Sequence, residues 1–304
     1  MKTFKYFLLF GAVFLFISPK IVAAKLKNTR VVIIALDGIS VEGFEKANLP
    51  HIDQLLAQGT LSKNTRVVMP SVTLPNWTSH LTGSGPEQHG LVDNNWQLDK
   101  YILPPVAKDS KGYYPSIFKE LKEQLPAVNT AFYYNWLNLI YPYNKDYLDE
   151  ISFLQNDEYK PNYDKAFDFI VKNKRNPTFV FLYSVHTDHA GHNHGWMSPE
   201  YISSIEEADK EIGIFINMFK EQGLFNDTYF LFLSDHGGIK TGHGGVTPTE
   251  MEVPWGIVGP GICKGKFMTE PNNTVNTAVV IAYLFGCKAP EAWTGKVPTT
   301  LFQK

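Results

Sequence analysis

The stretch from 230 to 238, Phe-Leu-Phe-Leu-Ser-Asp-His-Gly-Gly, is an apolar run that stops at an acid, an imidazole and two glycines. A run of this length closed by a glycine turn reads as a buried central strand, and in open α/β sheets ligands gather at the carboxyl ends of such strands. Asp235 and His236 are thereby set at a site. Two adjacent ligand-type side chains call for partners elsewhere, because a metal such as zinc takes several carboxylate and imidazole donors. The chain supplies Asp37, Asp188, His192 and His243.

Residues 30–36 form a β-branched run that delivers Asp37 and Gly38 at its carboxyl end, although an Asp-Gly pair is also an ordinary turn. A short helix over 50–58 and a strand over 61–68 begin the βαβ rhythm of a doubly wound sheet. Helices over 116–125 and 163–172 and a strand over 130–134 continue it, their aromatic residues reading as core. The strand over 179–185 runs into a segment where four of the nine histidines fall between 186 and 194. Asp188 and His192 stand four apart, so one helical turn puts both on one side. His186, His189 and His194 read as polar pocket or surface residues. On the long helix over 199–219, Glu206, Glu207, Asp209 and Lys210 read as a solvated face. His243 lies between glycines, and a last strand and turn over 251–261 and a helix over 274–285 close the chain.

Between the second and third strands lies Met69-Pro-Ser-Val-Thr-Leu-Pro-Asn-Trp, in which Pro75 starts a helix where its missing N–H costs nothing. A hydroxyl at this strand-to-helix turn, that of Thr73, lies near the helix's positive end, where a phosphate is welcome. Read alone, Thr73 is better taken as an N-cap. The sequon at Asn76 opens a buried helix and is discounted as a glycan site. A tight loop follows over 83–90, then Asn94, a neutral amide able to donate to phosphoryl oxygens.

The first 24 residues place Lys2 and Lys5 ahead of an apolar stretch and end on Val22, Ala23 and Ala24. That is the pattern of a secretory signal cut after Ala24, its apolar part being shorter than the roughly 20 residues of a membrane span. The expected products are a signal peptide, 1–24, and a single catalytic domain, 25–304. The mature chain would be secreted or periplasmic, with no stable membrane span after cleavage. Loss of Lys2, Lys5 and Lys20 makes it more acidic than the formal −2 of the whole chain, which gives no sign of nucleic-acid binding. The only two cysteines, Cys263 and Cys287, are free to pair in an exported protein, and the sequence does not say whether they do.

Three aspartates, three histidines and a hydroxyl exceed what one tetrahedral ion with an open position takes, and suit two ions sharing a nucleophile. Two divalent cations roughly 4 Å apart would hold Thr73 as an alkoxide and clamp a phosphoryl oxygen, so that in-line attack yields a phosphothreonine that water later cleaves.

Five ordered motifs carry a resemblance: LDG at 36–38, PSVTLPN at 70–76, HGLVDNN at 89–95, TDHAGH at 187–192 and SDHGG at 234–238. With them the chain resembles the alkaline-phosphatase superfamily, in its type I phosphodiesterase/nucleotide pyrophosphatase branch. The resemblance spans residues 30 to 261. It implies an α/β, three-layer sandwich with a mostly parallel central sheet and two metal ions, zinc by type. Asp37, Thr73, Asp235 and His236 would hold one ion and Asp188, His192 and His243 the other. Asn94 would help stabilise the phosphoryl oxygens, while Leu74 and Tyr183 would contact the substrate, Tyr183 by stacking on the leaving nucleobase or its equivalent. The implied substrate is a small phosphate ester of nucleotide or phospholipid-headgroup type.

The chain departs from that branch in three places. Leu74 stands where the branch has Phe, Thr187 where it has Pro, and His243 follows His236 by only seven residues, a compact spacing similar to phosphoethanolamine transferases. A transferase of that type is therefore one alternative, and a non-catalytic metal-containing binding protein is another. A sulfatase would need a Cys- or Ser-x-Pro-x-Arg sequence, which the chain lacks at this turn.

Overall fold

A computed structural model describes residues 28–303. The signal peptide expected over 1–24 lies outside the described residues. Strand β1 (Arg30–Leu36) is buried along its whole length. Val31, Ile33 and Ala35 join one apolar cluster and Val32, Ile34 and Leu36 another. A period-two chain between two covering layers must divide its side chains in this way.

The sheet is completed by β2 (Gly59–Arg66), β3 (Asn129–Tyr134), β4 (Glu150–Phe153), β5 (Thr178–Ser184), β6 (Thr228–Leu233), β7 (Glu252–Val258) and β8 (Lys266–Phe267). Their order is β4-β3-β5-β1-β6-β7-β2-β8. β7 pairs antiparallel with both β6 and β2, and the other neighbours pair parallel. The sheet is thus mostly parallel, as the sequence implied.

Among the described residues ten α-helices follow in chain order: α1 (Val41–Lys46), α2 (Pro50–Leu56), α3 (Thr73–Thr82), α4 (Pro86–His89), α5 (Ile117–Gln124), α6 (Lys160–Lys172), α7 (His186–His194), α8 (Pro199–Glu221), α9 (Pro248–Met251) and α10 (Asn276–Leu284). One sheet face is covered by Trp77 and Leu81 of α3, Phe118 of α5 and Ile281 of α10. The other is covered by Phe44 of α1, Leu55 of α2, Ile170 of α6 and Ile205 of α8. Each fully buried side chain of this kind contributes about 1.5–3 kcal/mol, so two such layers fix the sheet and with it the strand ends. These are the three layers expected. Among the described residues no helix is long and apolar enough to cross a membrane.

Two expectations need correcting. The segment 83–90 is not a plain loop, since α4 occupies its second half. Asp209 does not belong to a solvated face; it is 1% exposed, and its carboxylate accepts the backbone N–H groups of His51 (3.1 Å) and Ile52 (2.7 Å). The residue before α2, Leu49, offers no side-chain cap. A negative charge from α8 therefore satisfies donors that a helix start leaves unpaired. Cys263 and Cys287 are each free, and burial pushes the Cys287 thiol up to about 11.

Candidate active site

The three central strands β5, β1 and β6 are neighbours, and each ends in a candidate ligand. β1 leads into Asp37, β6 into Asp235 and His236, and β5 into α7, which carries Asp188 and His192. Parallel pairing sets all three strand ends at one edge, so the carboxylates converge. Gly38 makes the closest approach possible: its φ is +71°, and a Cβ there would meet the Asp188 backbone and side chain at 3.0 Å. Its N–H donates to Asp235 Oδ1 at 3.2 Å, and its carbonyl accepts from Trp196 Nε1 and the Tyr201 hydroxyl.

The imidazoles are oriented alike. Nδ1 of His236 lies 2.9 Å from the Gly237 carbonyl, that of His192 2.9 Å from the Thr241 carbonyl, and that of His243 2.9 Å from the Ser71 carbonyl. A backbone carbonyl accepts only, so each Nδ1 carries the proton and each Nε2 presents a lone pair. His236 Nε2 stands 3.3 Å from Asp37 Oδ1 and 3.3 Å from Asp235 Oδ2. Asp188 Oδ1 lies 4.0 Å from that nitrogen and 3.8 Å from His243 Nε2, while Asp188 Oδ2 lies 3.5 Å from His192 Nε2.

With the aspartates ionised, lone pairs thus face carboxylates with no proton between them. Asp37 Oδ1, Asp188 Oδ1 and Asp235 Oδ2 are buried and have no hydrogen-bond partner. Such an arrangement is costly unless cations fill it, and the donor set of imidazole and carboxylate suits zinc. The donors form two adjoining groups, Asp37, Asp188 and His236 in one and Asp188, His192 and His243 in the other. Asp188 belongs to both, which the assignment by resemblance did not anticipate.

Thr73 opens α3 but does not cap it. Val72 occupies the cap position, and Thr73 Oγ1 turns to His236 Nε2 at 3.2 Å. The helix start is held instead by Asn94, whose Oδ1 accepts from the Leu74 N–H at 2.8 Å and so leaves Nδ2 to donate elsewhere. Asn76 is fully buried; its amide bonds Val68 N and the Pro70 carbonyl and fixes the turn before α3, which rules it out as an accessible glycan site. Thr73, Asn94, Val185, Asp188, His192 and His243 line a cavity of about 180 Å³, with Trp136 and His189 among its walls. A larger cavity, about 280 Å³, lies at the opposite end of the sheet by Gln58 and Val258 and contains none of the candidate ligands.

Leu74 and Tyr183 do not reach that cavity. Both are 0% exposed. Leu74 packs with Leu91 and Trp96 beneath the loop. Tyr183 stands edge-on to Trp77 at 5.6 Å and donates its hydroxyl to Asp37 Oδ2 at 2.6 Å, beside a second donor, Trp77 Nε1, at 3.0 Å. An aromatic ring sealed in the core cannot stack on a substrate. The two donors instead pin Asp37 so that Oδ1 faces His236 Nε2. Removing such a support weakens metal binding by about 10–100-fold. Tyr183→Phe is expected to do so with an unchanged circular dichroism spectrum; metal affinity equal to wild type would show that Trp77 suffices.

One cavity residue, Trp136, and one supporting residue outside the cavity lining, Ser71, were not singled out in the sequence reading. Trp136 follows β3 closely and so sits at the same sheet edge, a signal that was available. Ser71 fastens the loop bearing His243, because its Oγ donates to the Gly245 carbonyl at 2.7 Å and accepts from Gly244 N at 3.2 Å. His186 lies elsewhere, stacked on Tyr159 at 4.1 Å, and His189 pairs with Asp157 at 2.6 Å.

Burial raises Asp188 to about 7, with Asp157 adding to it. Burial and the Asp188 charge raise Asp37 to about 8 against the hydrogen bonds of Tyr183 and Trp77, and burial with Asp37 raises Asp235 well above the carboxylate range. Burial, followed by His243, lowers His236. In metal-free protein the folded chain therefore holds protons on these aspartates that the unfolded chain releases above about pH 4. Stability from that source is lost as pH rises through 7 and 8. Below about 6.5 the opposite loss sets in, since burial keeps His80 and His89 neutral down to about 3 while the unfolded chain protonates them. The melting temperature of chelated protein is expected to fall by several degrees between pH 6.5 and 8.5, and that of metal-loaded protein to stay level. Parallel profiles would contradict this.

The sequence pattern of the type I phosphodiesterase / nucleotide pyrophosphatase family matches residues 31–249. Ectonucleotide pyrophosphatase/phosphodiesterase family member 1 of Rattus norvegicus is 27% identical over 236 residues, covering 70% of this chain and 24% of its own length. Venom phosphodiesterase 2 of Crotalus adamanteus is 27% identical over 253 residues, covering 70% of this chain and 27% of its own. The chain spans about a quarter of the length of the curated relatives it matches. Murine ectonucleotide pyrophosphatase/phosphodiesterase 5 shares the fold at a TM-score of 0.73 and 17% identity, over 90% of this chain and 100% of that one. An inactive variant of that protein in complex with AMP gives 0.72 at 16% identity, over 89% of this chain and 98% of that one.

Proposed function

The chain belongs to the type I phosphodiesterase / nucleotide pyrophosphatase family, and from that premise we propose that it is an exported, metal-dependent phosphodiesterase acting through a covalent phosphothreonine at Thr73. The observation that carries this reading is the Thr73 hydroxyl at the start of α3, 3.2 Å from His236 Nε2 and beside carboxylate oxygens that lack partners.

Two zinc ions would suit these donors: Asp37, Asp235, His236 and Thr73 would hold one and Asp188, His192 and His243 the other, a reading supported by the two carboxylate–imidazole groups that share Asp188. When bound, divalent cations lower the pKa of a ligated hydroxyl and draw charge from phosphoryl oxygens. The residues of the chain do the rest. Thr73 Oγ1 bonds to phosphorus as the bond to the leaving group breaks, and the amide of Asn94 and the positive end of α3 bind the non-bridging oxygens. Water then attacks from the face that the leaving group vacated and returns Thr73.

The substrate proposed is a small phosphate ester, of nucleotide or phospholipid-headgroup type. A bound AMP in the related murine variant supports the nucleotide form, and the half-buried ring of Trp136, in place of Tyr183, is the surface offered to a base. Residues 25–304 would act as one catalytic unit after loss of 1–24, secreted or periplasmic, in keeping with relatives named ectoenzymes or venom enzymes. The compact His236-to-His243 loop favours one second reading, a phosphoethanolamine-type transferase that passes the phosphoryl group from Thr73 to an alcohol. Product analysis with methyl 4-nitrophenyl phosphate tests both: methyl phosphate in water supports the hydrolase, a new diester on adding ethanolamine or glycerol supports the transferase, and no nitrophenol at all refutes both.

A further inference from the structure

Asp37, Asp235 and His236 follow strand ends, and Thr73, Asp188 and His192 sit on helices, whereas His243 stands in the loop between β6 and α9. Five of the nine residues from 237 to 245 are glycine. Glycine backbone loses the most freedom when it is ordered, so a ligand on such a loop is held only as firmly as the loop is tied down. Ser71 supplies one set of ties, to Gly244 N and the Gly245 carbonyl. The carboxylate of Glu250 supplies the other.

Glu250 lies on α9 and is buried. Its Oε2 accepts the Thr247 N–H at 3.2 Å and the Thr247 hydroxyl at 2.6 Å. That much is ordinary for a glutamate three residues after a helix cap. Its Oε1 reaches further, accepting the Gly245 N–H at 2.8 Å, two residues outside the helix cap. A Cβ at position 245 would come within 2.7 Å of Oε2, so the close approach requires glycine there. Gly245 is therefore gripped from both sides, its N–H by Glu250 and its carbonyl by Ser71 Oγ, while the Ser71 carbonyl takes Nδ1 of His243. The Glu250 main chain closes the other end of the loop, its carbonyl accepting Gly237 N at 3.0 Å, next to His236. Burial works to raise the Glu250 carboxyl, but the Thr247 hydroxyl and the N–H groups of Gly245 and Thr247 outweigh it and hold the carboxyl below its usual range. Bonds to an ionised acceptor are about twice as strong as neutral ones.

We propose that Glu250 is a positioning residue for the second donor group: acting through Gly245 and Ser71, its carboxylate holds His243 with Nε2 turned to Asp188. The inference rests on the metal-dependent phosphodiesterase reading and adds the residue that makes its compact His236-to-His243 loop rigid enough to present a ligand.

The test is Glu250→Gln, which keeps the size of the side chain and sets an amide against one of the N–H donors. In chelated protein labelled with ¹⁵N on histidine, the His243 signals are identified by their loss in His243→Ala. The ratio of Nδ1–H to Nε2–H tautomer at His243 is expected to fall about 5-fold, the worth of roughly one hydrogen bond, and that at His236 to stay as in wild type. In zinc calorimetry the affinity for one of two equivalents is expected to fall about 10-fold or more, with the other unchanged and excess zinc restoring most of kcat. Glu270→Gln is the matched control, since the Glu270 carboxylate takes the Thr300 N–H (2.7 Å) and hydroxyl (2.6 Å) in the same manner and touches no candidate ligand. It is expected to move neither readout. Should Glu250→Gln not fold, Glu250→Asp, too short to span Gly245 and Thr247 together, is read in the same way. A wild-type tautomer ratio and zinc affinity in the Glu250 variant, or an equal change in Glu270→Gln, would overturn the assignment and leave Glu250 a helix cap. Fewer than two zinc equivalents in the wild type would instead remove the two-ion reading, and the His243 tautomer ratio would still decide whether Glu250 positions that ring.

Discussion

Thr73→Ala is expected to lower kcat for an aryl phosphodiester by at least about 10³-fold, because loss of a nucleophile leaves only what binding and charge stabilisation supply. Metal content is expected to persist, since Asp37, Asp235 and His236 stay in place around the missing hydroxyl. Thr73→Ser, which keeps an oxygen at the start of α3, is expected to retain far more activity. Burst kinetics with plasma emission spectrometry checks both parts at once. If Thr73→Ala turned over at a wild-type rate with metal bound, the nucleophile would be another group, water included.

Asp188→Ala is expected to have the second largest effect. Its Oδ1 lies 3.8 Å from His243 Nε2 and 4.0 Å from His236 Nε2, and its Oδ2 faces His192. One truncation therefore removes an oxygen from both donor groups, whereas His192→Ala removes a donor from one. Asp188→Ala is expected to lose most bound metal and roughly 10²-fold or more in kcat, and His192→Ala to retain about half of the metal. Equal metal loss in the two variants would show that Asp188 serves one group only.

Much of this centre can be read along the chain because its parts obey short-range rules. Asp37 and Asp235 end apolar runs, and the spacing of Asp188 and His192 is one helical turn, so strand ends and helix period place them without knowledge of the whole fold. What surrounds them depends on packing between distant segments. Tyr183 looks like any aromatic residue at a strand end; only the register of β5 beside β1 turns its hydroxyl to Asp37 and buries its ring against Trp77. Leu74 sits next to Thr73 in sequence, yet the helix carries its side chain under the loop of Trp96. Asp209 caps a helix some 158 positions away, and no local pattern announces such a partner. Strand rhythm pointed to a doubly wound α/β sheet and the family resemblance to its three layers, while the short β4 and β8 gave too little periodicity to be seen.

The central claim is that carboxylates and imidazoles from three neighbouring strands hold a pair of cations against the Thr73 hydroxyl. The most direct measurement strips the chain with a chelator, returns zinc stepwise, and follows bound metal and hydrolysis of methyl 4-nitrophenyl phosphate together. The account predicts no turnover in stripped protein and recovery that completes at two equivalents per chain. Full turnover with no metal bound would contradict it.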